Sequence, residues 1–166
     1  MKIIIVGDGK VGFTLAEHLS QEEHNVTVID TNDDALRHAS ESLDVMCVKG
    51  NGASISALKE SGVESADVLI AATSLDEVNM VCCLTAKQLG AKFTIARVRN
   101  VEYAMELSRM KRELGIDLAI NPENATAVEI SRLLRFPGAA NIETFCRGRV
   151  ELIGFRVREG DFLADQ

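Results

Sequence analysis

Three glycines with the spacing Gly7-x-Gly9-x-x-Gly12 stand where a short apolar run gives way to an amphipathic stretch. In that context the spacing suits a phosphate-binding turn. Gly7 permits the tight turn, Gly9 lets phosphates approach the backbone, and Gly12 lets helix and strand pack closely. A helix opening at Val11 offers unpaired N–H groups and about half a positive charge to an anion. Asp8 and Lys10 fill the variable positions, and Lys10 either adds charge for the phosphates or faces solvent. Asp30 closes the second apolar run, 18 residues after Gly12 (30 − 12), near the spacing of about 20 expected for a ribose-binding carboxylate. Its carboxylate suits both ribose hydroxyls and repels a 2′-phosphate. Thr31 and Asn32 follow where an arginine would favour NADP. The plainer role for Asp30 is a helix cap.

Later strand ends should line the same crevice. Gly50-Asn51-Gly52 would let backbone approach the adenosine, and Thr73-Ser74 offers hydroxyls to phosphate or ribose. Thr73 and Ser74 equally suit a turn and cap for the helix expected at Asp76. Arg97 ends the fifth apolar run. A buried arginine needs an anion, so Arg97 either holds a phosphate or pairs with a carboxylate such as Glu123, and Arg99 is the alternative phosphate ligand. Groups for bond-breaking chemistry are scarce. His18, His24 and His38 fall on the first helix, a turn and the second helix, and Tyr103 has Leu107, not lysine, four residues on.

These residues must be positioned by alternating elements. Apolar runs at 2–6, 25–29, 45–48, 68–72, 93–98 and 118–120 suit strands buried on both faces of a parallel sheet. Helical stretches at 11–20, 33–41, 54–60, 76–89 and 102–114 lie between them, several stopped by a glycine. This is an α/β pattern, a doubly wound Rossmann sheet. A last helix, 123–134, carries Ala125, Ala127, Val128, Ile130, Leu133 and Leu134 almost all the way round its axis. Such a helix needs a second covering surface, either the C-terminal tail or another copy of the chain. Phe136-Pro137-Gly138 then breaks the pattern, and 142–157 reads as a β-hairpin. The expected division is 1–134 for the nucleotide-binding domain and 135–166 for a linker and the start of a small α+β subdomain. The apolar residues of that subdomain are too few for a core, so a fragment is expected.

Bulk properties exclude several classes. A net charge of −7 and the lack of a basic run argue against a nucleic-acid surface. No apolar stretch approaches the roughly 18–20 residues that span a bilayer, and a soluble, cytosolic chain is expected, free to sit on a membrane protein. The four cysteines show no metal-binding spacing and read as reduced thiols.

The order of these parts resembles the RCK (KTN) regulatory domains of bacterial potassium uptake systems, the TrkA type above all. The residues that carry the resemblance are Met1 to Gly7 with the glycine motif, Val28-Ile29-Asp30, Gly50-Asn51-Gly52-Ala53, Ala72-Thr73-Ser74-x-Asp76-Glu77-x-Asn79-Met80 and Ile95-Ala96-Arg97-Val98-Arg99. It covers roughly residues 1–135, and dehydrogenases share the glycine loop without the later set. The resemblance implies that Gly7, Asp8, Gly9, Lys10, Val11, Asp30, Thr73, Ser74 and Arg97 line a site for NAD(H) or ATP/ADP. It also implies a non-enzymatic regulatory subunit, cytoplasmic and peripheral on the inner face of the cell membrane. Its partners would be further copies, as a homodimer or higher ring, and a potassium-conducting, TrkH-like membrane subunit. The alternative is an NAD-dependent dehydrogenase or reductase cofactor domain cut from a larger enzyme. Two departures stand out: family chains carry two such domains in tandem, and position 8 is Asp where many such loops have a small or neutral residue.

Overall fold

The computed structural model describes residues 1–145 and 149–156. Strands β1 (Lys2–Val6), β2 (Asn25–Asp30), β3 (Met46–Lys49), β4 (Val68–Ala71), β5 (Phe93–Arg97) and β6 (Leu118–Ile120) form one parallel sheet in the order β3-β2-β1-β4-β5-β6. Helices α1 (Lys10–Gln21), α2 (Asp33–Ser42), α3 (Ile55–Glu60), α4 (Asp76–Leu89) and α5 (Val101–Leu114) connect them. This is the doubly wound order expected from the alternation.

Side chains alternate across a strand, so β1 feeds two cores. Ile3 and Ile5 pack with Val26, Val28, Ala16 of α1 and Leu36 of α2. Ile4 and Val6 pack on the other face with Leu58 of α3, Cys82, Cys83 and Ala86 of α4, and Leu107 of α5. The chain therefore switches faces between α2 and α3. Strands β1 and β4 pair directly, Ile3 with Val68 through Val6 with Ala71. Their carboxyl ends thus flank the switch-point crevice where ligands enter such sheets.

Boundaries of the sheet's strands and of the helices between them fall within a residue or two of expectation, whereas the hairpin expected from 142 begins at Ala139. Strand β2 runs on to include Asp30, because the Asp30 carbonyl accepts the Gly50 N–H at 2.9 Å and continues the ladder into β3. A one-turn 3₁₀ segment, Val63–Ser65, was not legible beforehand; it follows Gly62 at φ +75°. Cys82 and Cys83 are fully buried and Cys47 half-buried, all three as free thiols, whereas Cys146 lies outside the described residues. Among the described residues no helix is long and apolar enough to cross a membrane.

By internal contacts the chain divides into two units, the first ending at Pro122 and the second beginning at Glu123. That boundary lies at the first residue of helix α6 (Pro122–Arg135), whereas the one drawn from the sequence lies at its last. The second unit also holds the expected hairpin, β7 (Ala139–Phe145) antiparallel to β8 (Val150–Phe155). Glu151 of β8 faces Arg135 of α6 at 3.4 Å and Arg132 at 4.0 Å.

Candidate functional site

Gly7 and Gly12 meet the steric demands that their spacing predicts. Gly7 has φ +97°, a backbone that L side chains rarely adopt, and a Cβ there would stand 2.8 Å from the Thr73 nitrogen. A Cβ on Gly12 would strike the Gly7 carbonyl oxygen at 1.8 Å. Gly9 differs: a Cβ would meet nothing within 4 Å. Packing therefore does not demand a glycine at position 9, and the open space lies at the N-cap of α1. Helix α1 has no side-chain cap and no acidic residue in its first turn. Helices α2 and α5, by contrast, are capped by Asn32 and Asn100 and begin with acidic residues. The α1 terminus thus keeps donors and positive potential for an anion.

Asp30 holds this loop in place. Its Oδ2 accepts the Asp8 N–H at 2.6 Å and its Oδ1 accepts the Asn32 N–H at 2.8 Å. The cap of α2 is Asn32, so the capping role weighed for Asp30 belongs to its neighbour. Each carboxylate oxygen can take a further hydrogen bond, which leaves Asp30 able to accept from hydroxyls while it braces the loop.

Asp8 is 8% exposed, and neither carboxylate oxygen accepts a hydrogen bond. Burial raises its pKa above the usual carboxylate value, Asp30 beside it adds to the rise, and His38 opposes it. Lys10 is exposed. An open groove of about 500 Å³ runs between Asp8, Gly9, Lys10, Phe13 and Thr14 on one side and Ala35 and His38 of α2 on the other. The Phe13 and His38 rings meet across it, centroids 4.8 Å apart. Sequence alone left His38 on a helix with no role; folding brings it to the loop.

At the ends of β4 and β5 the organising residue is one that spacing did not single out as a site residue. Asn79 of α4 is fully buried and uses every donor and acceptor of its amide. Its Oδ1 accepts from Thr73 N (2.8 Å) and Thr73 Oγ1 (2.7 Å), and its Nδ2 donates to Thr73 O (3.1 Å) and Arg97 O (2.9 Å). Thr73 Oγ1 also accepts from Leu75 N at 3.3 Å, so Thr73 makes the expected turn. The N-cap of α4 is Leu75, with no side-chain cap from Thr73 or Ser74. Asp76 accepts the N–H groups of Arg99 and Asn100, both at 2.8 Å, and its Oδ1 lies 3.7 Å from Arg99 Nε. Arg99 also donates to the Ser74 carbonyl. Arg97, half-buried at the end of β5, shares this edge. Asn51 folds its loop through an Asx turn to Ala53 N at 3.0 Å. Gly52 has a packing reason besides close approach, since a Cβ would sit 2.0 Å from Val6 Cγ1.

A glycine loop, a bracing carboxylate and a Thr-Ser-x-Asp-x-x-Asn clamp therefore share one sheet edge. The family model of the TrkA-N domain matches residues 3–122. The chain belongs to the TrkA-N family. It is 43% identical to the Trk system potassium uptake protein TrkA of Halomonas elongata over 168 aligned residues, which cover all of this chain and 37% of that relative. The chain thus spans little more than a third of the length of such relatives, whose names are those of potassium uptake proteins and not of enzymes. Among solved structures, the TrkA-N domain of the inner membrane protein ybaL of Escherichia coli superposes with a TM-score of 0.71 at 23% identity, over 80% of this chain and 96% of that one. The GsuK channel bound to NAD matches with a TM-score of 0.62 at 27% identity, over 72% of this chain and 21% of that one. GsuK has also been solved bound to ADP.

Proposed function

We propose that this chain is the nucleotide-sensing part of a Trk-type potassium uptake regulator. It binds NAD(H) or ATP/ADP at the β1–β4 crevice and passes the occupancy to a potassium-conducting, TrkH-like membrane subunit. The observation that carries this reading is the uncapped N-terminus of α1, with open space at Gly9, in a TrkA-N chain. Gly7 to Gly12 hold the phosphates, and Asp30 accepts from the ribose. Asn51 and its flanking glycines border the adenosine, and Thr73, Ser74 and Arg97 face phosphate or ribose. The NAD-bound and ADP-bound GsuK structures support both ligand classes.

A sensor must bind its ligand differently in two states, because equal affinity shifts nothing. In this reading residues 1–134 sense and residues 135–166 begin a second subdomain, with the protein working as a peripheral, cytoplasmic oligomer. Helix α6 supplies the contact between copies: Val128, Ile130, Leu133 and Leu134 are 48%, 52%, 54% and 73% exposed. Calorimetric titration with NAD, NADH, ATP and ADP tests the ligand assignment, and absence of binding by all four overturns it. Arg97→Ala should weaken ATP far more than AMP; equal losses would make Arg97 structural. Val128→Glu should turn a dimer into a monomer by sedimentation, and a wild-type monomer at high micromolar concentration would remove the α6 interface.

A further inference from the structure

Asp8 occupies the second position of the glycine loop with its carboxylate buried and accepting no hydrogen bond. A structural aspartate in such a place is normally held by donors, since an ionised carboxylate without them is costly to bury. The groups that face it are Asp30 from β2, His38 from α2, Lys10 at the start of α1 and the Cys47 thiol from β3, whose ionisation the Asp8 charge opposes. Lys10 and His38 are both exposed, and Asp30 is committed to the loop amides. An arriving phosphate adds negative charge on the same side as Asp30, and nothing bonded to the carboxylate resists its neutralisation.

We propose that Asp8 is a proton-coupled specificity residue: it takes up a proton from solvent as an anionic ligand settles on the glycine loop. While ionised, it favours a dinucleotide over a nucleoside di- or triphosphate. A dinucleotide carries one charge per phosphate, whereas a terminal phosphate carries roughly two near neutral pH. The proposal rests on the nucleotide-binding reading above and names the ligand charge that the site accepts. Below the free-state pKa of Asp8 the proton is already present, and above the bound-state pKa it is never taken. Uptake is therefore confined to the window between them, and the penalty on ATP grows as pH rises through it.

NADH is the clean probe, because its phosphates do not titrate near neutral pH and any proton taken up belongs to the protein. Calorimetry of binding to the full chain, in two buffers of different ionisation enthalpy, with NADH from pH 6 to 8 and with the acid-stable oxidised dinucleotide from pH 5 to 6, counts those protons. A maximum that falls away on both sides is expected. Asp8→Asn should abolish the uptake, whereas His38→Gln should keep it. Asp8→Asn should also raise ATP affinity relative to NADH at pH 8 by about tenfold, the effect of one pKa unit. Uptake that survives Asp8→Asn, uptake lost in His38→Gln, or NADH binding with no uptake overturns this proposal alone. Failure of wild type and Asp8→Asn to bind NADH or ATP at any pH overturns the nucleotide reading and this proposal with it. If Asp8→Asn does not fold, carboxyl NMR of wild-type Asp8 decides: an upward shift of its titration midpoint with NADH supports the proposal, and an unmoved midpoint overturns it.

Discussion

Two aspartates, Asp8 and Asp76, stand at the carboxyl edge of one sheet with the same 8% exposure, yet they are treated in opposite ways. Asp76 takes two backbone N–H groups at 2.8 Å and has Arg99 beside it. Asp8 accepts nothing and has Asp30 for a neighbour. The difference separates two halves of the edge. In the β4–β5 half, Asp76 Oδ2 and the Asn79 amide are spent on the turns that follow the strands. The β1–β2 half keeps donors at the α1 terminus, which an anion can satisfy, and leaves the Asp8 carboxylate without a donor, which a proton relieves.

The largest effect that sharpens this contrast is expected on the β4–β5 half. Asp76→Ala strands two backbone donors and a guanidinium, so unfolding by urea should show a loss of about 3–5 kcal/mol. A loss below about 1 kcal/mol would erase the distinction. Asp30→Ala comes next, with its main cost in affinity. Two ribose hydrogen bonds to a charged acceptor, at roughly 1.5 kcal/mol each, amount to about a hundredfold weaker nucleotide binding by calorimetry. Unchanged titration curves would remove Asp30 from the ribose.

The smallest effect has the opposite sign. Asp8→Asn should stabilise the ligand-free chain by about 1 kcal/mol at neutral pH, because it replaces a buried, unbonded charge by a neutral amide. The pH dependence follows from the raised pKa. The folded chain binds that proton more tightly than the unfolded one, so the wild-type contribution is complete below the unfolded value near ~3.9. It is lost as pH rises through the folded value. The advantage of Asp8→Asn in urea midpoints should therefore grow from about pH 4 and level off above the folded pKa. An advantage independent of pH would mean that Asp8 is already neutral or already compensated.

The strand and helix order was legible because each strand is buried on both faces and reads as an unbroken apolar run, Ile3-Ile4-Ile5-Val6 above all. The glycine loop was legible because Gly7 and Gly12 answer to steric limits that leave no other residue. Spacing singled out Asp30 as a candidate ribose carboxylate but not as the brace of Asp8 N, since a side chain reaching across 22 positions leaves no local signature. Asn79 sat inside the family segment without being marked as a site residue. The available signal was its position: it shares the buried stripe of α4 with Cys82, Cys83 and Ala86, at offsets of three, four and seven, where a polar residue must be bonded. The burial of Asp8 was beyond reach, because only the assembled edge sets its exposure.

The Asn79 amide has a mechanical consequence. It ties the backbone that leaves β4, at Thr73, to the last carbonyl of β5, at Arg97, so these strand ends cannot separate without breaking several hydrogen bonds together. The cleft therefore has one fixed jaw. The Thr73 amide should be among the slowest at this edge to exchange with deuterium, while those of Gly9 and Lys10, at the uncapped start of α1, exchange first.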